Sequence, residues 1–330
     1  MNTAQEQITF IGAGAIATAL GNILAAKPEY RVILHSIDDE VVHSITTNHL
    51  NPKSFPSIHL HPSLKATANN QVLRDSSLLF LAIPSVFLID YLESIRSYIP
   101  EKTILVNLAK GFGTEHKTIC GCLKQRFPNP VCTLKGPTFA REIIMQLPTG
   151  FSLGYSHENQ IDTFRQLVTD TSIYLDFTPD ITGVEILSIL KNIYAIVLGI
   201  VDAQFNSPNL RFLILTKAFR EMRRILLHFG GEEETLFNYC GYGDFTLTAL
   251  NDLSRNRTLG LLIGKGFFTQ HISHELVLEG KTAVTIFYEE LSKNLSVPER
   301  FPIVAELYQI FNTAYDISSF VHAILSLKES

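Results

Sequence analysis

A single charged side chain, Lys191, interrupts the most apolar stretch of the chain, Ile186 to Val201. Its neighbours Leu190, Ile193, Ala195 and Ile196 leave no polar face for it to occupy. Burying an ammonium is costly unless it is paired, because desolvation disfavours the charged form. A cation kept in such a place can donate a proton to a developing alkoxide; a lysine snorkelling to a helix surface is the plainer alternative. Downstream, Gly241-Tyr242-Gly243-Asp244-Phe245-Thr246 sets an aspartate beside glycines, a turn that fixes where its carboxylate is aimed. Ser254-Arg255-Asn256-Arg257 then opens an apolar helix with a hydroxyl, a guanidinium, an amide and helix N–H groups. That set suits a phosphate, and its spacing equally suits a serine N-cap with solvated arginines. Lys110 follows one buried strand, in Asn107-Leu108-Ala109-Lys110-Gly111, and Gly136-Pro137-Thr138 follows another. Open α/β sheets bind ligands at such strand ends, so the cations together point to a small anionic ligand.

A second kind of chemistry is written at the start of the chain. After the first apolar run comes Gly12-Ala13-Gly14-Ala15-Ile16-Ala17, then residues that favour a helix. This is the G-x-G-x-x-G/A pattern in its strand–turn–helix context. Gly12 permits the tight turn, Gly14 lets backbone approach a pyrophosphate at the helix N-terminus, and Ala17 lets helix pack on strand. Gly12, Gly14, Ala15 and Ile16 are therefore expected to bind a dinucleotide. The second strand ends Leu34-His35-Ser36-Ile37-Asp38. An acid at that end favours a free ribose 2′-hydroxyl and an arginine a 2′-phosphate. Asp38 lies well along and no arginine follows, so NAD(H) and NADP(H) both stay open.

Positioning these groups requires a sheet. Ile8–Gly12, Arg31–Ser36, Leu78–Ile83, Thr103–Leu108, Val131–Leu134, Thr149–Leu153 and Ser172–Phe177 read as strands, several almost wholly apolar. Strands covered by helices on both faces look like this. Their alternation with helical segments predicts an α/β fold with a doubly wound, mostly parallel sheet. From Gly183 the period becomes helical, with helices expected at 183–203, 209–229, 232–240, 256–265, 271–292 and 301–311. Thr178-Pro179-Asp180 is the expected junction, since proline disfavours helix at the residue before it. The chain thus divides into a dinucleotide-binding domain, 1–180, and a helical substrate-binding domain, 181–330.

Composition narrows the setting. With 330 residues, 46% hydrophobic and 18% charged, the chain is a globular protein long enough for two domains. A formal charge of −5 provides no broad basic surface and argues against nucleic acid as a partner. The beginning, MNTAQEQITFIGAG, has no basic n-region, so the expected location is the cytoplasm. Cys120, Cys122, Cys132 and Cys240 form no C-x-x-C pair and are expected as reduced thiols. His271 and His274 lack a third ligand and the H-E-x-x-H order, so no metal site is expected. The apolar run at Ile186–Val201 is shorter than a membrane span and is expected as a buried core helix. A homodimer is the default assembly.

The motifs IGAGAIATAL, NPKSFPSIHLHPSLKAT, AIPS, NLAKGF, KGPTFAREI, LPTG, GVE, LKNIYAI, LTKAFREM, GYGDFTLT, LSRNRTLG and LEG run through nearly the whole chain. In this order they resemble the bacterial NAD(P)-dependent glycerol-3-phosphate dehydrogenases. The resemblance implies a Rossmann-like domain followed by a helical substrate domain. It implies reversible reduction of dihydroxyacetone phosphate to sn-glycerol 3-phosphate, supplying phospholipid synthesis, with hydride arriving at C2. It makes Lys191 the proton donor and acceptor, Lys110 a contact to substrate and nicotinamide, and Asp244 a neighbour of the reacting hydroxyl. Gly136 and Thr138 become substrate contacts, Ser254, Arg255 and Asn256 the phosphate group's binders, and Ala140, Arg255, Val277 and Glu279 cofactor contacts. Ile16 and Ala17, Leu187-Ser188-Ile189, the segment 205–213 and Lys135 depart from the family's smaller or differently shaped residues. Bulk there is expected to narrow or shift the pocket. Two other readings accommodate it: a paralog acting on another small phosphorylated ketone, or a non-catalytic dinucleotide-binding regulator.

Overall fold

A computed structural model describes residues 5–251, 254–267 and 274–326; the side chains of 274–279 lie outside that description. The chain forms two compact units, Met1–Glu185 and Ile186–Ser330. The division falls past the expected junction at 180, inside a helix rather than before it.

The first unit is built on one eight-stranded sheet. Its strands are β1 (Glu6–Ile11), β2 (Tyr30–His35), β3 (Lys65–Thr67), β4 (Ser76–Leu81), β5 (Ile104–Asn107), β6 (Val131–Lys135), β7 (Thr149–Gly154) and β8 (Ile173–Thr178). Their order is β3-β2-β1-β4-β5-β6-β7-β8. Neighbours pair parallel except β6 with β7, which is antiparallel. Helices α1 (Ala15–Ala25), α2 (Asp39–Asn48), α3 (Ser85–Ser94), α4 (Ile119–Arg126), α5 (Ala140–Ile144) and α6 (Asn159–Val168) connect them. The alternation of β4 explains the layering. Leu78 and Phe80 point into one core with Phe10, Leu20, Leu34 and Phe164. Leu79 and Leu81 point into another with Leu88, Leu92, Leu105 and Leu123. Phe10 stacks on Phe80 with ring centroids 4.6 Å apart. Each such side chain contributes about 1.5–3 kcal/mol on burial. All seven expected strands are present. The eighth, β3, has three residues and only Ala66 buried, too short for its alternation to register. Strand order reverses at β1, which lies between β2 and β4, and ligands bind such sheets outside the carboxyl ends at that point.

The second unit is helical, and no strand occurs among its described residues. Its elements are α7 (Ile181–Gln204, which begins in the first unit), α8 (Pro208–His228), α9 (Asp244–Leu250), α10 (Arg255–Gly264), α11 (His274–Ser292), α12 (Val297–Arg300), α13 (Pro302–Asn312) and α14 (Phe320–Ser326). By length and composition α7 could cross a membrane, but 94% of its most apolar window is buried in the fold, making it a core helix. Where α7 crosses α10, a Cβ on Gly199 would lie 2.8 Å from the Cα of Gly260, so the two backbones touch. The expected helix at 232–240 is instead a 3₁₀ segment, Glu233–Phe237, and a π turn, Tyr239–Gly243. Asn238, in extended backbone at ψ 167°, splits them.

Candidate active site

In the first unit, Gly12 has φ +105° and a Cβ there would lie 2.8 Å from the Ala82 carbonyl oxygen. Its N–H donates to the His35 carbonyl at 2.7 Å, tying the turn to the end of β2. Gly14 is the exposed N-cap of α1, with no side chain capping it and nothing within 4 Å of where its Cβ would stand. Ala15 is exposed, Ile16 half-buried and Ala17 fully buried against the sheet. An open glycine corner on the N-terminus of an eleven-residue helix fits a pyrophosphate. Asn51, not singled out from the sequence, pins this corner: its amide donates to the Ala13 carbonyl and the Thr18 hydroxyl, both at 2.8 Å. Asp38 is no strand-end acid. It caps α2, accepting from Val41 N–H at 3.3 Å, and pairs with Lys53 at 2.6 Å.

Lys110 stands three residues beyond β5, half-buried, on a turn shaped by Asn107, whose side-chain oxygen accepts from Ala109 N–H at 2.9 Å. Gly136 follows β6. A Cβ on it would fall 2.9 Å from the Phe151 Cα, so close strand packing requires glycine there whatever else it touches. Thr138 donates to the Gly136 carbonyl at 3.2 Å, and half-buried Ala140 opens α5.

Lys135 has an internal task. Its ammonium is fully buried, donates to the Asn107 carbonyl at 2.8 Å and lies 3.8 Å from the Glu185 carboxylate. That carboxylate accepts from Asn107, from the Thr133 hydroxyl at 3.0 Å and from Cys120 N–H at 2.8 Å. All four cysteines are buried and unpaired as disulfides.

In the second unit, Lys191 is 5% exposed and Asp244 1% exposed. The lysine does not snorkel: it donates to Asp244 Oδ1 at 2.6 Å and to Thr248 Oγ1 at 2.9 Å. Asp244 and Thr248, one turn apart on α9, are joined by the threonine hydroxyl donating to the same Oδ1 at 3.3 Å. Thr248 lies in the GDFTLT motif but nothing in its type marked it out. The result is a desolvated ammonium held by a carboxylate and a hydroxyl, an arrangement able to give up and retake a proton.

Ser254 is buried and caps α10, accepting from Arg257 N–H at 3.3 Å. Arg255 is exposed and Asn256 half-buried at that helix start. The second arginine is not solvated: buried Arg257 donates to the Ala249 carbonyl at 3.1 Å and to Asp202 at 2.6 Å. Arg211, from the divergent segment 205–213, binds the other oxygen of Asp202 at 2.6 Å, while Phe205, Phe212 and Leu213 are exposed. His271 lies outside the described residues. His274, Val277 and Glu279 fall in α11, but their side chains lie outside the description.

Residues 7–161 match the family described as NAD-dependent glycerol-3-phosphate dehydrogenase N-terminus, and 180–322 its C-terminus. A glycerol-3-phosphate dehydrogenase (NAD(P)+) of Leptospira biflexa is 32% identical over 328 residues, 97% of each chain. One of Methanothermobacter thermautotrophicus is 33% identical over 320 residues, 95% of this chain and 96% of that one. The crystal structure of glycerol-3-phosphate dehydrogenase from Coxiella burnetii superposes with a TM-score of 0.88 at 25% identity, covering 98% of this chain and 99% of that one.

Proposed function

The chain belongs to the NAD-dependent glycerol-3-phosphate dehydrogenase family, and on that premise we propose that it reversibly reduces dihydroxyacetone phosphate to sn-glycerol 3-phosphate with NAD(H) or NADP(H). The observation that carries the reading is the buried contact of Lys191 with Asp244 and Thr248, at 2.6 and 2.9 Å. When bound, the dinucleotide supplies or takes up the hydride at substrate C2. The Gly12–Ile16 corner and the N-terminus of α1 would hold its pyrophosphate, and Ala140, Val277 and Glu279 would make further contacts to it.

The remaining work belongs to side chains. Lys191 passes a proton from its ammonium to the C2 oxygen as negative charge develops there, and takes it back in oxidation. Asp244 accepts from the ammonium at 2.6 Å and so keeps it aimed before transfer. Thr248 fixes the carboxylate that both groups share. Lys110 adds a second cation for the developing oxyanion, with Gly136 and Thr138 beside the substrate. Ser254, Arg255 and Asn256 take the phosphate, joined by N–H groups at the start of α10. The setting is the cytoplasm, and the product feeds phospholipid synthesis.

Absorbance-monitored oxidation of NADH and of NADPH at saturating dihydroxyacetone phosphate tests this. Turnover is expected. Bound dinucleotide without turnover, or turnover only of another phosphorylated ketone from a panel, would overturn it.

A further inference from the structure

We propose that the loop after β2 makes this chain prefer NAD(H) to NADP(H), by presenting an apolar side chain and carboxylates where a 2′-phosphate would need a cation. The inference rests on the dinucleotide reading above and deepens it.

In doubly wound sheets the adenine-side ribose is recognised from the end of the second strand, which lies beside the glycine turn. Here that neighbourhood is fixed by three contacts. Gly12 N–H donates to the carbonyl of His35, the last residue of β2. Asn51 binds the Ala13 carbonyl at 2.8 Å, and its side-chain oxygen accepts from Lys53 N–H at 3.2 Å. The loop residues Ser36, Ile37 and Asp38 and the segment carrying Lys53 are therefore held against the cradle itself.

The chemistry they offer a doubly charged phosphate is poor. Ile37 is 80% exposed, an apolar side chain standing in solvent directly past the strand. Asp38, Asp39 and Glu40 follow it. Lys53, the lysine that reaches this loop, is engaged by Asp38 at 2.6 Å and Glu40 at 3.3 Å. Freeing it for a phosphate would expose the two carboxylates to that phosphate. Asp38 cannot readily turn away either, since its other oxygen caps α2. A ribose carrying only hydroxyls meets none of this repulsion. Ile37 sets no polar group against it, and its hydroxyls can donate to the local carboxylates.

Isothermal titration calorimetry of the intact chain with NADH and with NADPH, each in about 0.1 M salt, reads the preference without turnover. NADH is expected to bind at least about tenfold tighter, a difference of about 1.4 kcal/mol. Ile37→Arg should raise NADPH affinity about tenfold through a charge-assisted arginine–phosphate contact. Asp38→Asn keeps a cap acceptor, releases Lys53 and should narrow the gap in the same direction. NADPH binding as tightly as NADH in the native chain would overturn the preference alone. A gap that neither substitution moves would overturn its assignment to this loop. Failure of both dinucleotides to bind would overturn the proposed function and the preference with it.

Discussion

Each unit of the molecule buries a lysine against a carboxylate, and the two sites differ in what surrounds the charge. In the sheet unit, Lys135 reaches a backbone carbonyl at 2.8 Å and stands 3.8 Å from Glu185. Glu185 is itself wrapped by Asn107, Thr133 and the Cys120 N–H. Those partners come from β5, β6, α4 and α7, so the cluster binds four elements at the ends of two central strands. In the helical unit, Lys191 meets Asp244 directly at 2.6 Å, with one threonine hydroxyl bridging both. Asp244 and Thr248 lie on one short helix. Burial alone therefore does not make a lysine chemical. A cation set between backbone and a saturated carboxylate holds a fold together, whereas on the proposed mechanism the tight contact of Lys191 with Asp244 serves proton transfer.

Substitutions can break that comparison. The largest effect is expected from Asp244→Asn, which leaves Lys191 desolvated without its anion. kcat should fall about 10²- to 10⁴-fold, the range for a positioned acid–base group. Turnover near the native rate in a variant that still binds dinucleotide would contradict the pairing. Next, Lys135→Met leaves Glu185 without its cation and should cost about 3–5 kcal/mol of stability. Thermal unfolding checks this, and adding Glu185→Gln should recover part of the loss. Turnover per folded molecule should stay near that of the native chain; a collapse at full stability would place Lys135 in the chemistry instead.

A third buried acid sharpens the contrast through pH. Glu221, on α8, accepts from Tyr194 at 3.1 Å and from Ile303 and Val304 N–H at the start of α13. Burial nonetheless pushes its carboxyl up from 4.5 to about 7. The folded chain thus retains a proton that the unfolded chain loses between those values. This group's stability contribution is full below pH 4.5 and is lost as pH rises through 7. The span corresponds to at most about 3 kcal/mol. Glu221→Gln should flatten the decline of melting temperature between pH 5 and about 7.5; an unchanged slope would show that other groups set it.

The parts legible in the sequence are those whose signal is local. Apolar strands, the Gly12–Ala17 turn and an isolated cation in an apolar run all depend on near neighbours. Ser254 as a cap is equally local, although the same spacing also read as a phosphate site. What escaped depends on distant partners. Arg257 is open in the sequence between a phosphate ligand and a solvated side chain, and its partner Asp202 lies 55 residues away. Lys135 read as added bulk near a pocket, and only its contacts with Asn107 and Glu185 reveal a buried tie. Thr248 and Asn51 have ordinary types, and their importance lies in what they touch. Strand β3 was invisible because three residues carry no period.

The central claim is that Lys191 moves the proton, and chemical rescue tests it most directly. Lys191→Ala should bind dinucleotide yet lose nearly all turnover with dihydroxyacetone phosphate. Added ethylamine should then restore activity in proportion to its concentration. A variant that turns over near the native rate without amine would contradict the account.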